Sequence, residues 1–366
     1  APVVNGQIQN PTVLPNPLLG PNVTTEVEVG LNVDFLDKFS FIASYSTQNN
    51  EDQILTIPLS AVTGRNSQRQ NAGTLETNTI EFTLGYNAIQ KNDMNLSFNL
   101  IFDRTRSEIT EFNRPRFQVG ARNIWDLGNR PTEMFGRKLL RSLDDLTVLP
   151  DGTVANVAGG LTPSDFKVND LGVVIVAADE FTVNEAAVFF TDESGTQIDD
   201  LLIGDAQANF NMALQTSFDY KNFSVFMLWE YQNGGDTYYQ GGQWLARDRL
   251  HPIFNQGDNP EGQRHANTFL ATIYNTNRTT DYWVEDATHL RLRELALNYD
   301  LGGDQLAKIG LDKVFQNVRL SLVGRNLLLS SDYPGYDPAT GGITTRTDNF
   351  NYPLVRSFNG SIALTF

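Results

Sequence analysis

The chain has 366 residues, no cysteine, and 27 lysines plus arginines against 43 acidic residues, a formal net charge of −16. The missing cysteine excludes a disulfide framework and cysteine-ligated zinc or iron-sulfur sites, and the acidic balance without a long basic run argues against a nucleic-acid partner. No run of about 18 apolar residues is present, so no transmembrane helix is expected, although a barrel whose alternate residues meet lipid would read the same way.

Residues 1–23 are rich in Pro and Asn and show no periodicity, which marks a loop. They lack a basic start and an apolar stretch, so no signal peptide is expected; either one has been removed or the chain is a piece of something longer. Period-two alternation begins at once after them. Val27, Val29, Leu31, Val33 and Phe35 share one parity, Glu26, Glu28, Asn32 and Asp34 the other, and after the short turn Leu36-Asp37-Lys38 the chain returns with Phe39, Phe41, Ala43 and Tyr45 opposite serines. Two such runs joined by so short a turn predict an antiparallel hairpin.

A polar connection of about residues 48–77 follows, then a second hairpin, with Ile80, Phe82, Leu84 and Tyr86 returning as Met94, Leu96, Phe98, Leu100 and Phe102. The third runs from Phe210 to Tyr220, turns at Lys221-Asn222 and returns through Phe223, Val225, Met227, Trp229 and Tyr231. In His289 to Tyr299 the apolar parity flips between Leu292 and Leu295, which predicts a β-bulge near Arg293-Glu294. Val318, Leu320 and Leu322 form the next strand. The last, Val355 to Phe366, sets Phe358, Gly360, Ile362, Leu364 and Phe366 against Ser357, Asn359, Ser361, Ala363 and Thr365. Alone, that final strand fits equally a barrel wall or a half-buried strand of a soluble sandwich.

The connections decide between them. Nine expected strands are joined alternately by short turns and by long segments at about 48–77, 108–206, 233–282 and 328–353. Outer-membrane barrels sort their loops this way, and a ten-residue strand at ~3.3 Å per residue, tilted about 45°, rises roughly 23 Å, close to the ~25 Å apolar band of such barrels. The expected fold is an all-β, transmembrane antiparallel β-barrel, with 1–23 as an external loop leading into the barrel and 24–366 as the barrel segment, its long loops outside.

The runs WVEDATHLRLRELALNYDL (283–301), VRLSLVGRNLLLSSDYPGYDPATGG (318–342) and YPLVRSFNGSIALTF (352–366) resemble the carboxy-terminal signature of SusC/RagA-type TonB-dependent outer-membrane transporters. Upstream, NPLLGPNVTTEVEVGL, NAGTLETNTIEFTLGYN and IGDAQANFNMALQTSFDYKNFSVFML resemble other barrel strands of that family. The chain departs from the family pattern in the long loop, where DESGTQIDD (192–200) replaces a Gly-Asp-Gly-rich segment, and after Asp205, where Ala206 replaces proline. The resemblance implies the carboxy-terminal nine strands or so of a 22-stranded barrel in the outer membrane of a Bacteroidetes-type bacterium. It also implies a plug domain that this chain does not contain, contact with TonB through that missing amino-terminal part, and a SusD-like surface lipoprotein as partner. The activity implied is import of oligosaccharides or peptides, with no cofactor.

His251, His265 and His289 have no metal-ligand spacing, no nucleophile-histidine-acid order stands out, and no catalytic, cofactor or metal site is expected. The DESGTQIDD run lacks the spacing of a calcium loop and reads as a solvated acidic segment. Tyr238, Tyr239 and Trp244, among glycines, together with Tyr333, Tyr336 and Asp337, are candidates for substrate or partner contact, with packing of the loop against a lid protein or itself the plainer reading. Glu26, Glu28, Glu81, Asp219, Glu230, Arg319 and Arg325, along with Arg291, are expected to face the lumen. Two further functions stay open: a transporter-like barrel used as a structural or scaffold subunit of a larger outer-membrane complex, and a secreted β-sandwich binding module, which the loop asymmetry disfavours.

Overall fold

The computed structural model describes residues 3–4, 7–8, 13–274, 279–342 and 346–366; the rest of the expected amino-terminal loop lies outside the described residues. Nine long strands form one antiparallel sheet: β1 Val23–Phe35, β2 Phe39–Glu51, β3 Thr74–Lys91, β4 Met94–Glu111, β5 Phe210–Tyr220, β6 Phe223–Asn233, β7 His289–Leu301, β8 Asn317–Ser330 and β9 Ser357–Thr365. Their order in space is their order in sequence. This is the wall of an outer-membrane β-barrel, and its two outer strands, β1 and β9, are each paired on one side only.

Turn chemistry sets the short connections. Leu36 and Asp37 both take φ of 54°, the sign that a tight hairpin turn requires to match strand twist, and Lys221 takes φ of 52° in the β5–β6 turn. The β7–β8 connection carries the short helix α3 (Gly303–Lys308), whose Leu306 is fully buried. Arg293 is the bulged residue of β7 against β6, where Leu228 pairs with Glu294 and Trp229 with Leu292. Against β8 the extra residue lies on β8 instead, Asn326 and Leu327 standing opposite Arg293 between the pairs Leu292 with Leu328 and Glu294 with Arg325. An extra residue there returns the apolar side chains to one face.

Strands reach further into the expected loops than alternation predicts. β2 runs to Glu51, β3 starts at Thr74, β4 runs to Glu111, and the connection between β2 and β3 shrinks to 52–73. The added segments are rich in Thr, Ser, Asn and Gln on both faces, so no apolar parity marks them, while their backbone ladder continues, with one register shift between Thr74 and Leu75. The segment before β1 is also partly ordered: Val13–Leu14 pairs in parallel with Ser67–Gln68, in a small sheet completed by Ile54–Pro58.

The long connections build a folded layer. Met134, Leu139, Val173, Ile175 and Phe189 from the β4–β5 connection share one core with Tyr238, Phe269, Leu270, Ile273 and Trp283 from the β6–β7 connection. Beside it Leu140, Val154, Phe166, Val174 and Val188 form a second cluster. Two helices, α1 (Gln240–Arg247) and α2 (Asn267–Tyr274), lie in the β6–β7 connection. Gly242 lets α1 close onto its neighbours, since a Cβ there would stand 2.3 Å from the Tyr239 ring and 2.8 Å from Trp283. No described helix is long and apolar enough to cross a membrane.

Candidate functional site

Register, followed strand by strand, places the charged residues singled out in the sequence on one face of the sheet. Glu26 lies opposite Gln48 and Glu28 opposite Ser46; Ser44 leads to Glu81, Asp103 and Asn211; Asp219 shares the parity of Asn211; Glu230 leads to Arg291; and Glu294 pairs with Arg325 as Asp300 does with Arg319. Phe82, Phe98, Leu100, Leu214 and Val225 stand on the other, apolar face.

The polar face divides in two. On β6–β8 it is knitted by ion pairs: Arg293 holds Glu230 with both ends of its guanidinium, Arg325 Nε meets Glu294 at 2.8 Å, and Arg319 grips Asp300 bidentately at 2.8 and 3.0 Å. On β1–β5 the same face carries Glu26, Glu28, Asp34, Glu81, Asp103 and Asp219, and no lysine or arginine among the described residues shares it. Asp103 accepts from Asn211 at 2.9 Å, and Gln48 donates to Glu26 at 3.4 Å.

Above β7 the loop layer is pinned to the sheet by Arg291. Its guanidinium meets Asp337 of the β8–β9 connection at 2.5 Å, with side chains 2% and 3% exposed. Asp337 also accepts from the amides of Ala339 (3.0 Å) and Leu354 (3.4 Å). Burial alone would raise its pKa; Arg291 and these two amides outweigh burial and hold the carboxyl below the usual range. Nearby, the Tyr333 hydroxyl donates to Asp348 at 2.8 Å, and burial first, then this bond to a carboxylate, pushes the phenol upward.

Tyr238 is fully buried, 0% exposed. Arg122 stacks 3.6 Å over its ring and donates to Gln240 (2.5 Å) and Thr347 (3.1 Å), so one side chain joins three connections. Burial lowers the pKa of this guanidinium. Tyr238, Tyr333 and Asp337 therefore have no surface to offer a substrate in this arrangement: their polar atoms are spent inside the layer. Tyr239 packs edge-on against Trp283 and Tyr333, and Trp244 tilts against Phe350, both half-buried. Of the six, only Tyr336 stands open, 79% exposed, with Phe350, Tyr352 and Leu354 exposed on the same connection.

Two features were not legible in the sequence. His265, buried, sits with Nδ1 2.9 Å from both carboxylate oxygens of Glu185 and Nε2 2.8 Å from Asp170, bridging the β4–β5 and β6–β7 connections. Asp192, in the acidic run, spends its Oδ1 on Ser194 and Thr196 in a tight turn, and the Ser194 hydroxyl first of all lowers its pKa.

Comparison with known proteins agrees with this architecture. The Outer membrane protein beta-barrel family model matches residues 8–132. TonB-dependent receptor P3 of Formosa agariphila is 25% identical over 93% of this chain and 34% of its own length; TonB-dependent receptor P26 of the same organism is 23% identical over 96% and 35%. The chain thus spans about a third of the curated relatives it matches. Among solved structures, the RagAB peptide transporter superposes with a TM-score of 0.63 at 20% identity, covering 94% of this chain and 35% of that one. The RagAB peptide importer in the open-open state gives 0.65 at 19% identity, over 96% and 35%.

Proposed function

We propose that this chain, a barrel segment of the SusC/RagA type of TonB-linked outer-membrane proteins, forms part of a nutrient importer that takes up oligosaccharides or peptides. In this reading the polar face lines the lumen, and Glu26, Glu28, Glu81, Asp219, Glu230, Arg291, Arg319 and Arg325 meet either a plug or passing solute. Residues 1–23 and the long connections lie outside the cell, while 24–366 supplies the wall. TonB acts through a plug carried elsewhere, and a SusD-like lipoprotein covers the loop layer. Tyr239, Trp244 and Tyr336 are its contacts from this chain.

The observation that carries the reading is the pairing of a long amphipathic wall with a folded loop layer fixed to its polar side by Arg291 and Asp337. A layer so anchored gives a lumen mouth a defined shape. The names of the relatives, TonB-dependent receptors, and the titles of the RagAB structures support transport rather than catalysis.

The scaffold alternative draws on the exposed Tyr336, Phe350 and Tyr352, which suit a fixed protein contact as well as a lid. The test uses the complete protein in its own outer membrane, with uptake of labelled oligosaccharide and peptide mixtures measured with and without TonB. TonB-dependent accumulation of either class supports import. Loss of a co-purifying envelope complex on deletion, with uptake unchanged, would favour the scaffold.

A further inference from the structure

Two guanidinium groups stand where the apolar face of the sheet ends. On β4 the side chains Met94, Leu96, Phe98, Leu100 and Phe102 climb that face from the turn, and the next two on it are Arg104 and Arg106, opposite Ile80 and Asn78 of β3. Ten residues from Met94 to Arg104 span about 33 Å of strand, or roughly 23 Å along the membrane normal at 45° tilt, which is the border of the ~25 Å apolar band.

Directly below lies a row of rings. Phe102 stacks on Phe82 at 4.8 Å and on Phe210 at 5.6 Å. Arg104 is exposed and has no hydrogen-bond or ion-pair partner among the described residues. Arg106 donates only to neutral oxygens: the carbonyls of Thr105, Ala208 and Asn209 and the Asn209 side chain. Asp205, a carboxylate whose field acts on Arg106, is taken by Arg130 at 3.0 Å. One step further out on the same face stand Glu76 and Glu108, opposite each other.

We propose that Arg104 and Arg106, with the row Phe82, Phe102 and Phe210, bind the phosphate of a phosphorylated glycolipid of the outer leaflet, its acyl chains lying on the rings. The inference rests on the reading that the long connections face outward. A planar guanidinium fork matches phosphate oxygens, and cations at a membrane border attract anionic headgroups. The glutamates above select the source. A free anion from solution must pass Glu76 and Glu108, whereas a headgroup arrives from the membrane plane beneath them.

The test is native mass spectrometry of the complete protein in a mild detergent, with phosphorylated and with dephosphorylated lipid A added. The expected result is a stoichiometric adduct with the phosphorylated lipid, reduced about tenfold in Arg104→Gln, the size expected for losing a charge-assisted pair of hydrogen bonds. Arg104→Lys should recover much of the adduct, and Lys91→Gln, on the same face at the turn end, should leave it unchanged. Heat-dependent gel migration checks that each variant folds. Equal binding of dephosphorylated lipid, an unchanged adduct in Arg104→Gln, or displacement by millimolar inorganic phosphate would overturn the site. Protease added to intact cells tests the orientation independently: loops that resist it until the outer membrane is opened, and are then cut, defeat the underlying reading, whereas loops cut from outside with no Arg104 effect defeat the site alone.

Discussion

Asp337→Ala should release the outer layer from the wall without unfolding the wall. The substitution leaves Arg291, 2% exposed, with its charge buried and its carboxylate partner gone, and it frees the amides of Ala339 and Leu354. Removing one member of a buried ion pair costs about 3 to 5 kcal/mol. At about 1.4 kcal/mol per factor of ten, the open population of this connection rises by roughly one hundred to a few thousand. Amide exchange of peptides covering 331–342 and 346–356 in the complete protein reads this directly, with β4 and β5 peptides as the unchanged reference. The pH dependence has a definite sign. Asp337 has a depressed pKa when folded, so its contribution is complete above the unfolded value of ~3.9 and fades as pH falls through the folded value. Protection of these peptides, taken as exchange relative to the intrinsic amide rate at each pH, should therefore fall in acid for the wild type and stay level in Asp337→Ala. The paired change Arg291→Met with Asp337→Leu should restore most of the protection, because it removes the charge along with its partner. Protection within threefold of wild type in Asp337→Ala would refute the reasoning.

Arginine placed on the apolar face at mid-strand should cost about 2 to 4 kcal/mol, so Phe98→Arg and Leu214→Arg should lower the folded fraction in membranes by urea titration, while Ser97→Arg and Gln215→Arg should be tolerated. Equal effects within each pair would sink the assignment of faces. Arg122→Ala removes the contact over Tyr238 and the bonds to Gln240 and Thr347, and should increase exchange in 236–248 by about tenfold or more. Arg122→Met keeps the packing of the stem over the ring and should do less harm; a larger effect for Met than for Ala would show that the arginine acts otherwise.

The wall was readable because lipid and polar faces sort residues at period two, and even the bulge at Arg293 left its mark as a parity flip. That signal ends where lipid ends. Thr47 to Asn50 and Thr105 to Ser107 stay in register but face water on both sides, so nothing in their order distinguishes strand from loop. The layer's core was hidden for a different reason. Val173 to Ile175 and Phe269 to Ile273 are brief apolar stretches that become a core only by meeting across about a hundred residues of sequence. Tyr238 lies in a run of glycines that reads as an exposed loop, yet Gly242 lets α1 close onto the neighbouring Tyr239 ring and Trp283, and Tyr238 ends fully buried. Arg291 and Asp337 are 46 positions apart, and no spacing rule links them.

The two halves of the polar face place different demands on whatever fills the space before them. On β6–β8 each arginine is matched to a carboxylate of the same chain, so the wall presents satisfied pairs whose field falls off within a few ångströms. On β1–β5 the carboxylates Glu26, Glu28, Asp34, Glu81, Asp103 and Asp219 have no lysine or arginine of those strands on their face, and their fields add. A negative potential that the strands themselves leave uncompensated is neutralised from outside them, by counterions in water or by cations of whatever domain seats against that side. Proximity to a positively charged surface therefore stabilises the β1–β5 half of the wall more than the β6–β8 half, and the chain's formal charge of −16 is in part an expression of that asymmetry.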